Sequence, residues 1–164
     1  MVGNLCYAAS DIDVFGEFQI DPKKVKCYME DTGLLLTLAA GDNYLNSNIY
    51  KSFMLGKLAV NKGMMTENLV AQMLAANGHK LRFWEGRVDE SGERKKYEVD
   101  FLLPGEARST PIEVKSGNSK HHPSIDYFRQ KYKSRCGKGI LLTKGDLRET
   151  EDYTSLPLPM AMFL

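Results

Sequence analysis

The chain has 164 residues, 43% of them hydrophobic and 26% charged, with 22 Lys/Arg against 21 Asp/Glu for a net charge of +1. Those values are ordinary for a soluble globular protein and suit one domain with a real core, perhaps with a small appendage. Three widely spaced cysteines, Cys6, Cys27 and Cys136, stand in no CxxC arrangement, so neither a disulfide framework nor a zinc site is indicated. The N-terminus lacks the apolar segment of a signal peptide, and no apolar run approaches the ~20 residues a spanning helix needs, which makes a cytoplasmic setting the expectation and a membrane role excluded.

Residues 1–22 carry no strong periodicity and read as a lead-in, or the remnant of an interdomain segment. Lys24–Met29 alternates and is a strand candidate, and Leu34–Ala40 is a short apolar segment that Asp31 or Thr32 can cap and Gly41 end. Residues 43–48 are loop-like, and Ile49–Val60 reads as a helix with Ile49, Phe53 and Leu58 inward. Residues 23–62 thus form a strand/helix extension ahead of a core spanning 63–164.

The clearest helix is Gly63–Gly78, rich in good helix formers and closed by Asn77-Gly78. Glu67 shares its apolar stripe with Val70 and Leu74, so its carboxylate reaches water, sits favourably in the first turn, or finds a partner, because unpaired burial is costly. Leu81–Trp84 alternates and is the first core strand, followed by a charged hairpin extension, Glu85–Lys96, turning at Ser91-Gly92.

Two strands come next, Tyr97–Leu103 and Pro111–Gly117. Alternation places Tyr97, Val99 and Phe101 on one face with Glu98 and Asp100 on the other. In the second strand Ile112 and Val114 oppose Glu113 and Lys115. Joined by a short turn, the pair sets Asp100 beside Glu113 and Lys115, and two carboxylates with an ammonium suit a hard divalent cation such as Mg²⁺.

Ser124–Arg135 follows as a helix with the stripe Ile125, Phe128, Tyr132, then Gly139–Thr143 as a buried strand. Asp146–Ser155 is a polar loop, and Pro159–Leu164 a last edge strand that begins late because Pro157 and Pro159 cannot donate to a ladder. The segment Lys115–Arg148 holds nine Lys/Arg against Asp126 and Asp146, net +7. It is either a solvated basic face or a track for a phosphate backbone, with Lys120, Arg129, Lys131 and Lys133 as its contacts. His121-His122 diverge as adjacent side chains do and form a solvated loop pair. His79 is structural, Cys136 a passive thiol, Phe83 and Trp84 core or edge residues rather than base-stacking platforms, and Met64, Met65 and Met73 packing.

The predicted order from Glu67 is αβββαβ, a mixed α/β (α+β) sheet with helices against its faces. A glutamate on the leading helix, an Asp on a strand and Glu-x-Lys on the next resembles the PD-(D/E)xK nuclease superfamily, with its restriction-endonuclease-like core. The stretches "TENLVAQMLAANGH", "YEVDFLL" and "PIEVKSG" look most like the uncharacterised domain found C-terminal to the AAA+ ATPase module in many bacterial and archaeal proteins. "KVKCYMEDTGLLLTLA" extends the resemblance to residues 23–164.

The resemblance implies that Asp100 and Glu113 ligate Mg²⁺ or Mn²⁺, with Glu67 a further ligand directly or through water, while Lys115 orients the attacking water or steadies the charge of the phosphate. Glu98 is a surface or loop-pairing carboxylate. It implies a metal-dependent nuclease acting on DNA, or alternatively a catalytically silent module that binds DNA or protein for an ATPase partner, with a homodimer possible. No GxxxxGK[ST] occurs, so the chain has no P-loop for ATP hydrolysis. It reads as a stand-alone domain or as a fragment of a longer ATPase protein without activity of its own.

Overall fold

The computed structural model describes residues 2–13, 17–40, 62–90, 93–117 and 122–164. The expected helix at Ile49–Val60, the loop before it, the Ser91-Gly92 turn, Lys120 and His121 lie outside the described residues.

The molecule is a mixed α/β structure with two sheets. A long antiparallel hairpin, β1 (Gly3–Ile12) and β2 (Phe18–Met29), opens the chain. Helix α1 (Thr32–Ala40) and helix α2 (Lys62–Ala76) follow, then the β3 (Arg82–Glu90) and β4 (Glu93–Val99) hairpin. Strand β1 runs parallel to β3 at Tyr7–Arg82 and Ala8–Phe83, giving a four-stranded sheet of order β2-β1-β3-β4. The second sheet holds β5 (Phe101–Leu103), β6 (Thr110–Val114), β7 (Gly139–Thr143), β8 (Arg148–Glu149) and β9 (Tyr153–Pro157) in the order β5-β6-β7-β9-β8. Helix α3 (Pro123–Tyr132) connects β6 to its parallel neighbour β7.

From α2 onward the order is helix, four strands, helix, three strands rather than the expected αβββαβ, because the expected strand Tyr97–Leu103 is divided at Asp100 into β4 and β5, and β8 and β9 follow β7. Three expectations are corrected. The lead-in is a strand: β1 lies between β2 and β3, and its Cys6, Ala8, Ala9 and Ile12 are buried. Its small apolar residues alternate too weakly to be seen in the sequence. The expected polar loop at Asp146–Ser155 contains β8 and most of β9, and β9 is parallel to β7, its polar residues only half buried. The last six residues before Leu164 are a 3₁₀ turn, not an edge strand; Pro157 closes β9, and Pro159, which cannot donate to a ladder, sits in the first turn of the 3₁₀ segment.

Two cores result, one on each side of the strands. Val70, Ala71 and Leu74 of α2 pack with Cys6, Ala8, Tyr28, Phe83, Phe101, Ile112 and Leu142. Phe128 and Tyr132 of α3 pack with Ala9, Ile12, Trp84, Val99 and Leu102. Consecutive residues such as Ala8-Ala9 and Phe83-Trp84 enter opposite cores, as strand alternation requires of a sheet covered on both faces.

The helix ends follow their local chemistry. Asp31 Oδ1 accepts the backbone N–H of Gly33 at 2.6 Å and of Leu34 at 3.0 Å, capping α1. We predict that Asp31→Ala costs about 1 kcal/mol in urea denaturation, a cap's ordinary contribution; a loss below a few tenths would mean that α1 does not need its cap. Helix α2 closes through Gly78 at φ +86°, where the N–H of Gly78 reaches Ala75 O and that of His79 reaches Leu74 O. An L side chain would be strained there, and the Asn-Gly sequence announces it.

Candidate active site

The carboxylates come together where one sheet hands over to the other. Strand β4 pairs with β3 up to Val99, and β5 pairs with β6 from Phe101, so Asp100 occupies the break between them. Phe101 faces the α2 core and Val99 the α3 core. The expected single face for Tyr97, Val99 and Phe101 is therefore corrected: the interruption at Asp100 resets the alternation and re-aims its side chain. Asp100 Oδ2 accepts the backbone N–H of Val114 at 2.7 Å, crossing from one strand to the next. Phe101 is in register with Ile112, which sets Asp100 level with Glu113.

Glu113 is buried, and its Oε1 is held by the Lys115 ammonium, two residues along the same strand face. Its Oε2 is the one buried side-chain oxygen lacking a hydrogen-bond partner among the described residues. Such an orphan is costly to maintain, and an oxygen-seeking cation is one group that satisfies it. Glu67 projects from the second turn of α2 and lies within electrostatic reach of Asp100. Burial pushes the Asp100 carboxyl up to about 7, with the nearby charges of Glu67 and Glu113 adding to it against the Val114 hydrogen bond and Lys26. All four residues of the sequence pattern thus converge on one region.

Two contributors were not foreseen. Lys26 of β2 lies 3.1 Å from Glu67 Oε1 and 2.5 Å from Glu98 Oε1, and Tyr28 donates its hydroxyl hydrogen bond to the same Glu67 oxygen. Burial opposes the Lys26 charge, but its bonds to Glu98 and Glu67 outweigh that and hold its pKa above the ordinary lysine value. Burial and the Glu67 charge raise Tyr28, keeping it a neutral donor. The ion pairs run on: Glu98 bonds Lys96 at 2.8 Å, Lys96 lies 3.3 Å from Glu85, and Glu85 pairs with Lys24. Glu98 is thus a pairing carboxylate, as expected. Lys24, Lys26 and Tyr28 alternate along β2, so their shared face was readable although their partners Glu67, Glu85 and Glu98, far along the chain, were not.

Among the described residues, no three His, Cys, Asp or Glu side chains stand close enough together to hold a metal ion as they are. The carboxylates are tied back, Glu67 by Lys26 and Tyr28, Glu113 by Lys115. The donor set itself, all carboxylate oxygen with one orphaned, fits Mg²⁺ or Mn²⁺.

The basic segment is less uniform. Arg129 is paired with Asp152 at 2.7 Å, and Lys138 with Glu149 at 2.7 Å. Lys131 lies 5.1 Å above the Trp84 ring, and Lys133 ends α3 with φ +40°. Helix α3 begins beside the site, where Ser124 Oγ accepts the Glu98 N–H at 3.3 Å. Lys131 and Lys133 lie two turns or more farther along it. The remaining candidates are structural: His79 bonds Leu164 O, His122 pairs with Asp126, and burial lifts the Cys136 thiol to about 11.

The Asp100 environment makes a prediction. A carboxyl whose folded pKa is raised from 3.8 to about 7 contributes stability that is present below pH ~4 and lost as pH rises through 7. Asp100→Asn keeps an acceptor for Val114 but carries no charge. In metal-free buffer at pH 8 it is expected to exceed the wild type by on the order of 2–4 kcal/mol, and at pH 4 to match it. Denaturation curves at the two pH values check this; equal gaps at both would rule out the raised carboxyl.

Residues 62–162, from the start of α2 to the C-terminal turn, match the model of a domain of unknown function, DUF4143. The hairpin that supplies Lys26 and Tyr28 lies ahead of the matched region. No curated protein and no solved structure matches the chain. No helix of the described residues is long and apolar enough to cross a membrane.

Proposed function

The chain belongs to the DUF4143 family, and from that premise we propose that its carboxylate cluster is the site of a metal-dependent nuclease of the PD-(D/E)xK kind, acting on DNA phosphodiesters. The observation that carries the reading is the convergence of Asp100, Glu113 and Lys115, with Glu113 Oε2 buried and without a hydrogen-bond partner among the described residues.

Asp100 and Glu113 would hold Mg²⁺ or Mn²⁺, with Glu67 as the outer ligand. The metal, when bound, would polarise the scissile phosphate and lower the pKa of an attacking water. The protein's own groups do the rest. The break at Asp100 fixes its carboxylate against the Val114 N–H, so it need not be ordered when the cation arrives. Lys115, whose ammonium here bonds Glu113 Oε1, would steady the charge on the phosphate. Gly117, having no side chain, would let the backbone after β6 lie close to a phosphate. Helix α3 would present Arg129, Lys131 and Lys133 to the DNA backbone leading away from the cut.

A second reading has its own support. The carboxylates are tied to lysines rather than gathered around a vacant centre, and the family is typical of AAA-ATPase-associated proteins. A catalytically silent module that binds DNA or protein beside an ATPase would need only the basic surface. Titration of Mg²⁺ and Mn²⁺ by calorimetry, with plasmid and branched-DNA cleavage on the same samples, separates the two. Metal uptake with cutting supports the nuclease; DNA binding without either supports the module.

A further inference from the structure

We propose that Lys26 is a resident counter-ion of the carboxylate site, holding the metal-free cluster together and competing with the divalent cation for it. This positioning role rests on the metal-site reading above. It belongs to the N-terminal hairpin, outside the residues that define the family.

The geometry is that of a cation in a carboxylate nest. One ammonium lies 3.1 Å from Glu67 and 2.5 Å from Glu98, with the Phe83 ring 4.9 Å beneath it. Its charge is felt at Asp100, and its side chain is only about a quarter exposed. Tyr28 bonds the same Glu67 oxygen, so that carboxylate is held from two sides by one strand. Without a positive group there, Glu67, Glu98 and Asp100 would repel one another in a poorly hydrated setting, which is costly.

A fixed ammonium also opposes an incoming cation. Two positive charges in one nest repel in proportion to their product, so a divalent ion feels Lys26 twice as strongly as a proton does. Taking the charge away therefore strengthens metal binding even as it loosens the metal-free protein. A lysine that merely oriented a ligand would do the opposite, and a purely structural lysine would leave the affinity alone. Lys26→Met removes the charge and keeps the stem against Phe83; Lys26→Arg keeps the charge.

The test is calorimetric titration of Mn²⁺ into wild type, Lys26→Met and Lys26→Arg, at low and high KCl, with thermal unfolding of each protein with and without Mn²⁺. The expected result is Mn²⁺ binding about five- to tenfold tighter in Lys26→Met at low salt, a gap that narrows at high salt as charge effects are screened. Lys26→Arg should bind like the wild type. Lys26→Met should also melt lower than wild type without metal, and gain more from Mn²⁺. Equal or weaker binding in Lys26→Met, while the wild type binds, overturns the inference and leaves the metal site standing. No binding by any of the three proteins overturns both. Should Lys26→Met fold poorly, Lys26→Gln, which keeps a hydrogen-bond donor for Glu67 and Glu98 but not the charge, must give the same tightening.

Discussion

Replacing Asp100 and Glu113 together with alanine is expected to abolish Mg²⁺ and Mn²⁺ binding and to lower DNA cleavage at least about a thousandfold, the scale on which metal-assisted hydrolysis depends on its ligands. The effect is large because the two residues are not interchangeable supports. Asp100 is anchored through Oδ2 to the Val114 N–H, and Glu113 is anchored through Oε1 to Lys115. Each keeps one oxygen outside those bonds, and that of Glu113 is the buried orphan Oε2. Removing both carboxylates leaves Glu67 as the only acidic member of the four, itself claimed by Lys26 and Tyr28. The double variant should nevertheless fold. It eliminates a carboxyl that burial disfavours and an unsatisfied buried oxygen, so its unfolding midpoint in metal-free buffer is expected to stay near that of the wild type. Undiminished cutting by this folded variant would refute the nuclease reading. Failure of the wild type itself to bind metal or cut, with DNA binding retained, would leave the binding module.

What the sequence made legible divides along physical lines. Glu67 and Glu113 were readable because each lies in a periodic element, and a period of 3.6 or two assigns a face without any knowledge of the partner; Asp100 and Lys115 were readable as the residues that flank β5 and β6. The succession of a helix, strands, a second helix and further strands followed from the same signal, but the division of Tyr97–Leu103 and the strands β8 and β9 did not. Strand β1 was not readable: Cys6, Ala8 and Ala9 are small, and their partners lie on both sides in β2 and β3. Phe101 was assigned to the wrong face because alternation was carried through Asp100, where the chain leaves one sheet for the other. The Lys26 contacts were invisible for a different reason. Ion pairs that join β2 to α2 and β4 depend on how the hairpin packs, and no local pattern encodes that. The face shared by Lys24, Lys26 and Tyr28 was a clue without an address.

Trp84→Ala is expected to destabilise the protein by about 3–5 kcal/mol, the range for truncating a large buried aromatic. Trp84 is 1% exposed and holds α3 to the four-stranded sheet. Its ring meets Phe128 edge-on at 5.1 Å and Tyr132 at 6.1 Å, and its Nε1 donates to Tyr132 Oη at 3.1 Å. Gly86, two residues on along β3, makes the position possible: a Cβ there would come 2.2 Å from the indole ring. The alanine variant thus loses the transfer energy of the indole, opens a cavity and strips a hydroxyl of its partner. Residual affinity for metal decides what kind of residue Trp84 is. Its cluster lies on the α3 side of the strands, whereas the core on the other side contains the α2 residues flanking Glu67. Whatever fraction of Trp84→Ala remains folded should therefore bind Mn²⁺ as the wild type does. A loss below about 1 kcal/mol would show that α3 is held by something other than this aromatic packing. Weakened Mn²⁺ binding in the folded fraction would instead show that α3 reaches the carboxylates, for example through Ser124 against Glu98.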